Sequence, residues 1–499
     1  MKLNQILSQL KASFEIVAEL NLIDQINVED IAIDSRVVKN NSIFFALSGK
    51  ITNGSRFISD AIAKGAKVIV VEKFPTEIAE KNVCFIQTEN VFALLVEFLR
   101  IFYQPLPANI YAITGTNGKT STAEFTRQIL QFLGKKSASV GTLGTICAEE
   151  IVDLQNSSLT TPDIVSLYKN LQALKKNSID DVALEVSSIG LEQGRIAGLK
   201  IDSGAFTNFT QDHLDYHKSM AEYLRCKIIL FDSVLEKSGS AILNSDITEF
   251  SQIKKICAEK KYRIIEYGFK ACDLKLCKIE QNIEGQKVSL EFRGKKYDFT
   301  LSVAGEFQAF NALCALGNVL SKYDLDDKTL KNLLTKFHLL NPAAGRMQRV
   351  GILPNKAQVF IDFAHSPDAL KNVLQLARSL TKSRSIILFG CGGNRDAGKR
   401  KIMGNIASKL ADFIIVTDDN PRLENAKTIR GEILAACNMS KTLEIADRKE
   451  AIKKAISLLE AGDVLILAGK GHEKYQIIGD KKIEFDEEKI AKDVISQLS

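Results

Sequence analysis

The stretch Tyr111-Ala112-Ile113-Thr114-Gly115-Thr116-Asn117-Gly118-Lys119-Thr120-Ser121 decides how the rest of the chain is read. Tyr111 to Ile113 reads as the end of a β-strand. Residues from Thr120 to Leu133 read as an amphipathic helix with Phe125, Ile129, Phe132 and Leu133 on one face. A glycine-rich turn between strand and helix is a phosphate cradle. Gly115 and Gly118 admit a tight turn and let the backbone approach an anion closely. The N–H groups opening the helix point at that anion, and the helix dipole adds to the attraction. Lys119 supplies a cation for β/γ-phosphates and Thr120 a hydroxyl for Mg²⁺, with Thr116, Asn117 and Ser121 completing the loop. Ile113 stands where the longer G-x-x-x-x-G-K-[ST] motif has its first glycine, so G-T-N-G-K-T is a shorter variant.

Working outward, 499 residues are too many for one core, and two to four domains are expected. The net charge of +6 is mild for this length, and no dense Lys/Arg run interleaves with aromatics, which argues against nucleic acid. Lys11, Glu15 and Glu19 interrupt the first twenty residues, so no signal peptide is expected. Apolar runs such as Val464 to Ala468 are strand-sized, so no membrane insertion is expected. Nine cysteines without C-x-x-C spacing fit a reduced cytoplasmic protein with neither disulfides nor a zinc site.

Residues 1–106 alternate strand and helix, and Pro105 and Pro107 mark a linker. Asp34-Ser35-Arg36 reads on local grounds as a plain surface turn. Residues 107–339 carry the phosphate loop and further strand ends rich in polar groups. Asp181 to Val186 leads into Ser187-Ser188, and Ala205 to Phe209 into Thr210-Gln211-Asp212-His213. Ligands of open parallel sheets sit beyond the carboxyl ends of strands, so Glu185, Asp212 and His213 are candidates for a Mg²⁺ shell. For Glu185 a capping or loop carboxylate is an equal reading. His213 and His217 stand at i and i+4, but with no H-E-x-x-H and no third ligand nearby, zinc is not expected. A helix from Met220 to Leu235 carries Lys227, Lys275 to Thr300 alternates like a β-ribbon, and Ala304 to Asn311 opens a further helix. Residues 340–499 repeat the βα pattern, with strands at Gln358–Asp362, Ser385–Phe389, Asp412–Thr417 and Asp463–Ala468, each followed by a helix. Polar and glycine residues again dress the strand ends, which argues for a second binding face.

These stretches together resemble the Mur ligases, ATP-dependent amino-acid ligases of peptidoglycan synthesis. The resemblance rests on D-S-R at Asp34–Arg36, G-T-N-G-K-T at Gly115–Thr120, T-T-P at Thr160–Pro162 and E-V-S-S at Glu185–Ser188. It continues with D-H-L-D-Y-H at Asp212–His217, D-F-A-H-S-P-D-A-L at Asp362–Leu370, D-N-P-R at Asp419–Arg422 and G-K-G-H-E at Gly469–Glu473. It spans essentially the whole chain. It implies an α/β, three-domain architecture: an N-terminal UDP-substrate domain, a central P-loop-type ATPase domain and a C-terminal Rossmann-like domain for the incoming amino acid. By resemblance, Ile33, Ser35 and Lys50-Ile51-Thr52 lie near the UDP. Thr160, Thr161, Ser187, Gln193 and Arg195 hold the muramoyl-dipeptide, and Asn311, Arg346 and Asp362 contact ATP. Arg395, Asp419, Asn420, Pro421, Arg422, Gly469 and Glu473 recognise the amino acid.

Lys227 matches the family's carbamylated lysine. On local grounds alone it reads as an unmodified surface lysine. As a carbamate it joins Thr120, Glu185 and His213 around Mg²⁺, with Lys119, Lys227, Glu185 and His213 in the catalytic roles. D-N-P-R accompanies meso-diaminopimelate in the family. A guanidinium at Arg422 attracts that substrate's distal carboxylate and repels the ammonium of lysine. The implied partners are therefore UDP-N-acetylmuramoyl-L-alanyl-D-glutamate and meso-diaminopimelate, with ATP and Mg²⁺. The alternatives are an L-lysine-adding or folylpolyglutamate-type amide ligase and, from another class, a P-loop NTPase switch, although N-K-x-D is not found. The chain departs from the family pattern at Leu159, Ile189 and Gln308.

Overall fold

The computed structural model describes residues 1–17, 20–49, 53–74, 82–155, 157, 159–214, 216–282, 285–303 and 305–498. The expected UDP-contacting residues Lys50, Ile51 and Thr52 lie outside the described residues, as does Asp215 of D-H-L-D-Y-H. The chain forms two compact units, one comprising Met1–Ala108, Glu149–Asp180 and Gln193–Lys200, the other Asn109–Ala148, Asp181–Glu192 and Ile201–Ser499.

The first unit is built on a five-stranded sheet. Asp30–Ala32, Ser42–Phe45, Ala66–Val71 and Cys84–Gln87 run parallel in sequence order, and Glu15–Val17 closes the edge antiparallel. Apolar runs such as Val68-Ile69-Val70-Val71 are fully buried, as a parallel strand covered on both faces requires. The helix Ile164–Lys176 belongs to this unit. Its Lys169 pairs with Asp30 at 2.7 Å, and Asp30 also accepts the Tyr103 hydroxyl at 3.0 Å. Asp34 caps a short 3₁₀ turn through the Arg36 N–H and ion-pairs with the Arg36 guanidinium, which is turn chemistry of the kind the local reading expected.

The second unit contains a ten-stranded sheet, a six-stranded sheet and a two-stranded hairpin. In the ten-stranded one, Asn109–Thr114 lies between Asp181–Glu185 and Ile201–Phe206, all parallel. Sequence-adjacent strands thus leave in opposite directions from Asn109–Thr114, which opens a crevice at its carboxyl end. The phosphate-loop helix spans Lys119–Phe132, and its Phe125 and Ile129 are fully buried with Leu313 and Leu316 of the helix Glu306–Lys322. Each such side chain contributes roughly 1.5–3 kcal/mol, so the loop stands on a stiff floor. The ribbon Leu274–Asn282, Gly285–Phe292 and Lys295–Leu301 closes one edge. The helix expected from Met220 to Leu235 is regular only to Ile229, and Leu230–Val234 widens into a π-helical turn before a strand begins at Leu235.

The six-stranded sheet has the order Gln348–Ile352, Gln358–Asp362, Val464–Ala468, Ser385–Phe389, Phe413–Val416, Thr442–Glu444, parallel apart from the first. One expectation is corrected here. Val464–Ala468 is not followed directly by a helix. A hairpin, Tyr475–Ile478 with Lys481–Glu484, intervenes before the helix Glu487–Leu498. No helix among the described residues is long and apolar enough to cross a membrane.

Candidate active site

The phosphate loop has the backbone its glycines imply. Gly115 has φ +142° and Gly118 φ +84°. A Cβ at Gly115 would lie 1.9 Å from Thr207 Oγ1, and one at Gly118 would lie 2.4 Å from Asn311 Oδ1. Neighbouring chain fixes the loop from below. The Thr116 N–H donates to the Asn208 carbonyl (2.9 Å), the Asn117 N–H to Asn208 Oδ1 (2.8 Å), and the Thr207 hydroxyl to the Asn117 carbonyl (2.6 Å). Sequence reading did not assign Thr207 and Asn208. Their signal was their position just past the strand Ile201–Phe206.

Three charged groups meet at this floor. Lys119 Nζ donates to the Gly115 and Thr116 carbonyls at 2.9 and 2.8 Å. Lys227 Nζ donates to the same Gly115 carbonyl at 2.7 Å and lies 4.3 Å from the centre of the Tyr223 ring. Glu185 accepts the Thr120 hydroxyl at 2.9 Å and the Thr142 N–H at 2.9 Å. Burial pushes both ammonium groups below the ordinary lysine range, and Lys119 pushes Lys227 lower still. Burial also raises the Glu185 carboxyl, against the opposing pull of Lys119 and of its hydrogen-bond donors. The surface-lysine reading of Lys227 is therefore overturned: the side chain is 1% exposed.

Segments flanking the six-stranded sheet reach the loop. An Arg346 guanidinium N–H donates to Thr120 Oγ1 at 3.3 Å, and the Asn117 amide donates to Asp368 at 3.0 Å. Asp362 accepts the Met347 N–H at 2.7 Å, and burial raises its carboxyl to about 6, against the pull of Arg346. Asn311 accepts the Thr122 hydroxyl and donates to Gln308, so the departure at Gln308 positions Asn311. Asp212 lies 3.7 Å from His213 and 4.0 Å from His365; burial raises its carboxyl, but these imidazoles and Lys399 hold it lower overall. His213 takes a left-handed backbone, φ +55°, and its ring is half-exposed. Asp368 and Thr142 escaped the sequence reading because nothing in their own neighbourhoods names their partners.

These donors fit the groups the motif implies. The loop N–H groups, Lys119 and Arg346 suit a polyphosphate. The Thr120 hydroxyl and the Glu185 carboxylate are hard oxygen donors of the kind Mg²⁺ takes.

A second cluster sits at the carboxyl ends of the six-stranded sheet. Arg422 has φ +53°. Its N–H donates to the Ile477 carbonyl of the unexpected hairpin, and its guanidinium donates to the Gly393 carbonyl at 2.9 Å. Burial and the neighbouring Arg395 lower its proton affinity. Asn420 donates to Glu473 (2.9 Å) and accepts from Lys470 (2.6 Å), whose ammonium also reaches the Tyr475 carbonyl at 2.6 Å. Asp419 is buried beside Gly469, while Arg395 is exposed. Lys470 is fully buried and holds the cluster together, although only its neighbours Gly469 and Glu473 were singled out.

The remaining candidates lie elsewhere. Thr160, Thr161, Gln193 and Arg195 belong to the first unit, where the Arg195 guanidinium donates to the Thr161 carbonyl (2.7 Å) and to Gln193 Oε1. Ser35, buried, and Ile33 follow the strand Asp30–Ala32, and Lys64 donates to the Ser35 carbonyl. Ser187, in the second unit, caps the turn after Glu185 by accepting the Gly190 N–H.

Three family models match this chain: Mur ligase family, catalytic domain, over residues 27–103; Mur ligase middle domain over 113–319; and Mur ligase, glutamate ligase domain, over 345–471. The chain is 42% identical over 477 residues to the UDP-N-acetylmuramoyl-L-alanyl-D-glutamate--2,6-diaminopimelate ligase of Rickettsia bellii, covering 94% of this chain and 96% of that one. It is 40% identical over 479 residues to the protein of the same name from Bradyrhizobium diazoefficiens, covering 95% and 96%. A solved structure of a UDP-N-acetylmuramoyl-L-alanyl-D-glutamate--2,6-diaminopimelate ligase superposes with a TM-score of 0.68 at 28% identity, covering 100% of this chain and 99% of that chain.

Proposed function

This chain belongs to the Mur ligase family, and from that premise we propose that it joins meso-diaminopimelate to UDP-N-acetylmuramoyl-L-alanyl-D-glutamate. ATP is converted to ADP and phosphate, and the setting is peptidoglycan precursor synthesis in the cytoplasm. Residues 1–106 serve the UDP moiety, 107–339 ATP, and 340–499 the amino acid. The observation that carries this reading is the Arg346–Thr120 hydrogen bond. It ties the phosphate loop to the segment leading into the sheet that bears the D-N-P-R cluster, which supports a reading in which the activated carboxylate and the amine are brought together.

The D-glutamyl carboxylate attacks the γ-phosphorus, forming an acyl phosphate and releasing ADP. The neutral amine of the third residue then adds to the acyl carbon; the carbon–oxygen bond to phosphate breaks, phosphate leaves with its electron pair, and the nitrogen loses a proton to water. Phosphoryl transfer depends mostly on positioning and charge neutralisation. The loop from Gly115 to Ser121 and Lys119 grip the phosphates, while Asn311, Arg346 and Asp362 hold the nucleotide. Thr120, Glu185, His213 and Lys227 as a carbamate would hold Mg²⁺, which supplies positive charge for the transferring phosphoryl group. Burial and Lys119 favour the neutral amine of Lys227, and that is the form that adds to CO₂ and loses a proton to become a carbamate anion. Thr160, Thr161, Ser187, Gln193 and Arg195 receive the muramoyl-dipeptide. Arg422, with Arg395, Asp419, Asn420, Pro421, Gly469 and Glu473, receives diaminopimelate.

Phosphate release from ATP, measured with the UDP-muramoyl-dipeptide and one amine at a time, tests the reading. Release with meso-diaminopimelate and not with L-lysine or D-alanyl-D-alanine is expected. Equal release with lysine would replace the amino-acid assignment. Hydrolysis indifferent to every amine would overturn the ligase reading itself.

A further inference from the structure

The sequence around His217 offers no third ligand, and the proposed mechanism leaves this histidine unused. The fold supplies what the sequence hid. His217 follows the loop after Ile201–Phe206, Cys226 lies on the helix Met220–Ile229, and Glu192 ends the short helix Ser188–Glu192. One imidazole nitrogen, Cys226 Sγ and a Glu192 carboxylate oxygen all lie within 4.8 Å of one another. His217 and Cys226 are fully buried, and Glu192 is partly exposed.

We propose that Glu192, His217 and Cys226 form a binding site for one thiophilic divalent cation of the Zn²⁺ class, separate from the Mg²⁺ site at the phosphate loop.

The donor set is the first argument. Imidazole, thiolate and carboxylate together suit a borderline-soft ion, whereas Mg²⁺ takes oxygen alone. Three protein donors leave one position of a tetrahedral ion for water. Reach is the second argument. Ligand atoms around tetrahedral zinc stand about 3.5 Å apart, from metal–ligand distances of about 2.0–2.3 Å. A separation of up to 4.8 Å therefore closes with about 1 Å of movement, most of it available to Glu192, the partly exposed and longest of the three.

The surroundings are the third argument. Ser188 Oγ lies 2.8 Å from His217 Nε2. A proton on Nε2 donated to that hydroxyl leaves Nδ1 as the lone-pair nitrogen and fixes the ring, as second-shell partners of metal-bound histidines do. Tyr216 and Tyr223 pack against the ring with centroids 4.9 and 5.1 Å away. An Arg225 guanidinium N–H reaches Cys226 Sγ at 3.8 Å, placing positive charge where a thiolate forms. Occupancy would tie the helix that ends at Glu192 to the helix bearing Cys226, one residue before Lys227.

Co²⁺ titrated into the full-length protein in the presence of excess Mg²⁺ tests the site, because a cobalt–thiolate bond gives a charge-transfer absorption that oxygen and nitrogen ligands do not. One equivalent with that absorption is expected, displaced by Zn²⁺ and not by Mg²⁺. Cys226→Ser should remove the absorption and weaken Zn²⁺ binding by an order of magnitude or more, and Glu192→Gln should weaken it without abolishing the absorption. Zn²⁺ should also raise the melting temperature of the wild type and not of Cys226→Ser, a readout that registers whether the variant is folded. A thiolate absorption that survives Cys226→Ser, or cobalt binding that Mg²⁺ displaces in full, would overturn the proposal.

Discussion

The phosphate loop and the D-N-P-R cluster both sit at carboxyl ends of parallel strands, yet they are built differently. At the loop, main chain does most of the work: two left-handed glycines, the opening N–H groups of a helix, and carbonyls already engaged by Lys119 and Lys227. At the second cluster, side chains do it: Lys470 on Asn420 and Glu473, and Arg422 braced on Gly393. A backbone cradle recognises any polyphosphate and needs a contiguous motif. A side-chain cluster is assembled from distant segments and, in the proposed function, selects the amino acid. Damage to the loop should therefore abolish chemistry for every amine, while damage to the cluster should weaken use of diaminopimelate and leave ATP handling intact.

The largest expected effect is that of Lys119→Ala. A bound polyphosphate needs this charge at the helix N-terminus, so ligation should be lost, while the lost hydrogen bonds to the Gly115 and Thr116 carbonyls should lower stability by about 1–2 kcal/mol without unfolding the protein. Steady-state phosphate release and a thermal melt check both halves. A folded Lys119→Ala protein with full activity would remove the loop from the mechanism.

Arg422→Ala should be selective. Removing one partner of a desolvated, hydrogen-bonded charge pair costs on the order of 2–5 kcal/mol. That is a loss of roughly 30-fold or more in kcat/KM for meso-diaminopimelate, at about 1.4 kcal/mol per factor of ten. The KM for ATP should hardly move. Lysine should not become a good substrate, because losing a repulsion does not create a partner. An unchanged diaminopimelate value would show that Arg422 does not read the distal carboxylate.

The same contrast explains what was legible in the sequence. The strand at Tyr111–Ile113 and the helix beyond Lys119 were readable to within a residue or two, because the motif and the 3.6-residue periodicity are local. Gln358–Asp362 and Ser385–Phe389 were readable for the same reason, as short apolar runs ending in polar residues. The hairpin Tyr475–Ile478 with Lys481–Glu484 was missed although Gly479-Asp480 is a turn signal; its strands are partly or fully exposed and lack the apolar run that marked the others. Asp368 beneath Asn117, Thr142 on Glu185 and Glu192 beside His217 were out of reach because their partners lie dozens of residues away or more.

A smaller effect should come from pH. Burial holds the Asp362 carboxyl at about 6 instead of its ordinary 3.8. A raised carboxyl means that the folded state keeps a proton the unfolded chain has released, so stability falls as pH rises from about 4 to about 6 and then levels off. The cost at neutral pH is on the order of 3 kcal/mol. Asp362→Asn should flatten that part of the stability–pH curve and weaken ATP binding at pH 8, where the wild type presents a carboxylate. Chemical denaturation at pH 5 and pH 8 checks the first, and ATP titration the second. Parallel curves for the two proteins would show that Asp362 is not the group responsible.

The smallest effect on catalysis sharpens the comparison most, because it touches what connects the two regions. Gln128, buried on the phosphate-loop helix, grips residue 341 with both ends of its amide. Oε1 accepts the Asn341 N–H at 2.9 Å, and Nε2 donates to the Asn341 carbonyl at 3.1 Å. Asn341 begins the short segment that reaches Arg346, so the clasp sets where the second sheet leaves the first. Gln128→Ala removes these two neutral hydrogen bonds, each worth about 1 kcal/mol net, and a third from Nε2 to the Glu124 carboxylate at 3.1 Å. Asn341 is exposed, so water can take over its backbone groups and soften the loss. Stability should fall by about 2–4 kcal/mol. The KM for ATP should stay close to the wild-type value if the loop itself is untouched, and kcat/KM for diaminopimelate should fall a few-fold because the amine's cluster is delivered less reproducibly. Gln128→Glu is the conservative control: it still accepts the Asn341 N–H but, ionised, sets a charge against the Asn341 carbonyl and Glu124. Equal losses in the ATP and diaminopimelate parameters would mean that the clasp merely supports the helix. A loss confined to diaminopimelate would make Gln128 a positioning residue between a site read by main chain and one read by side chains.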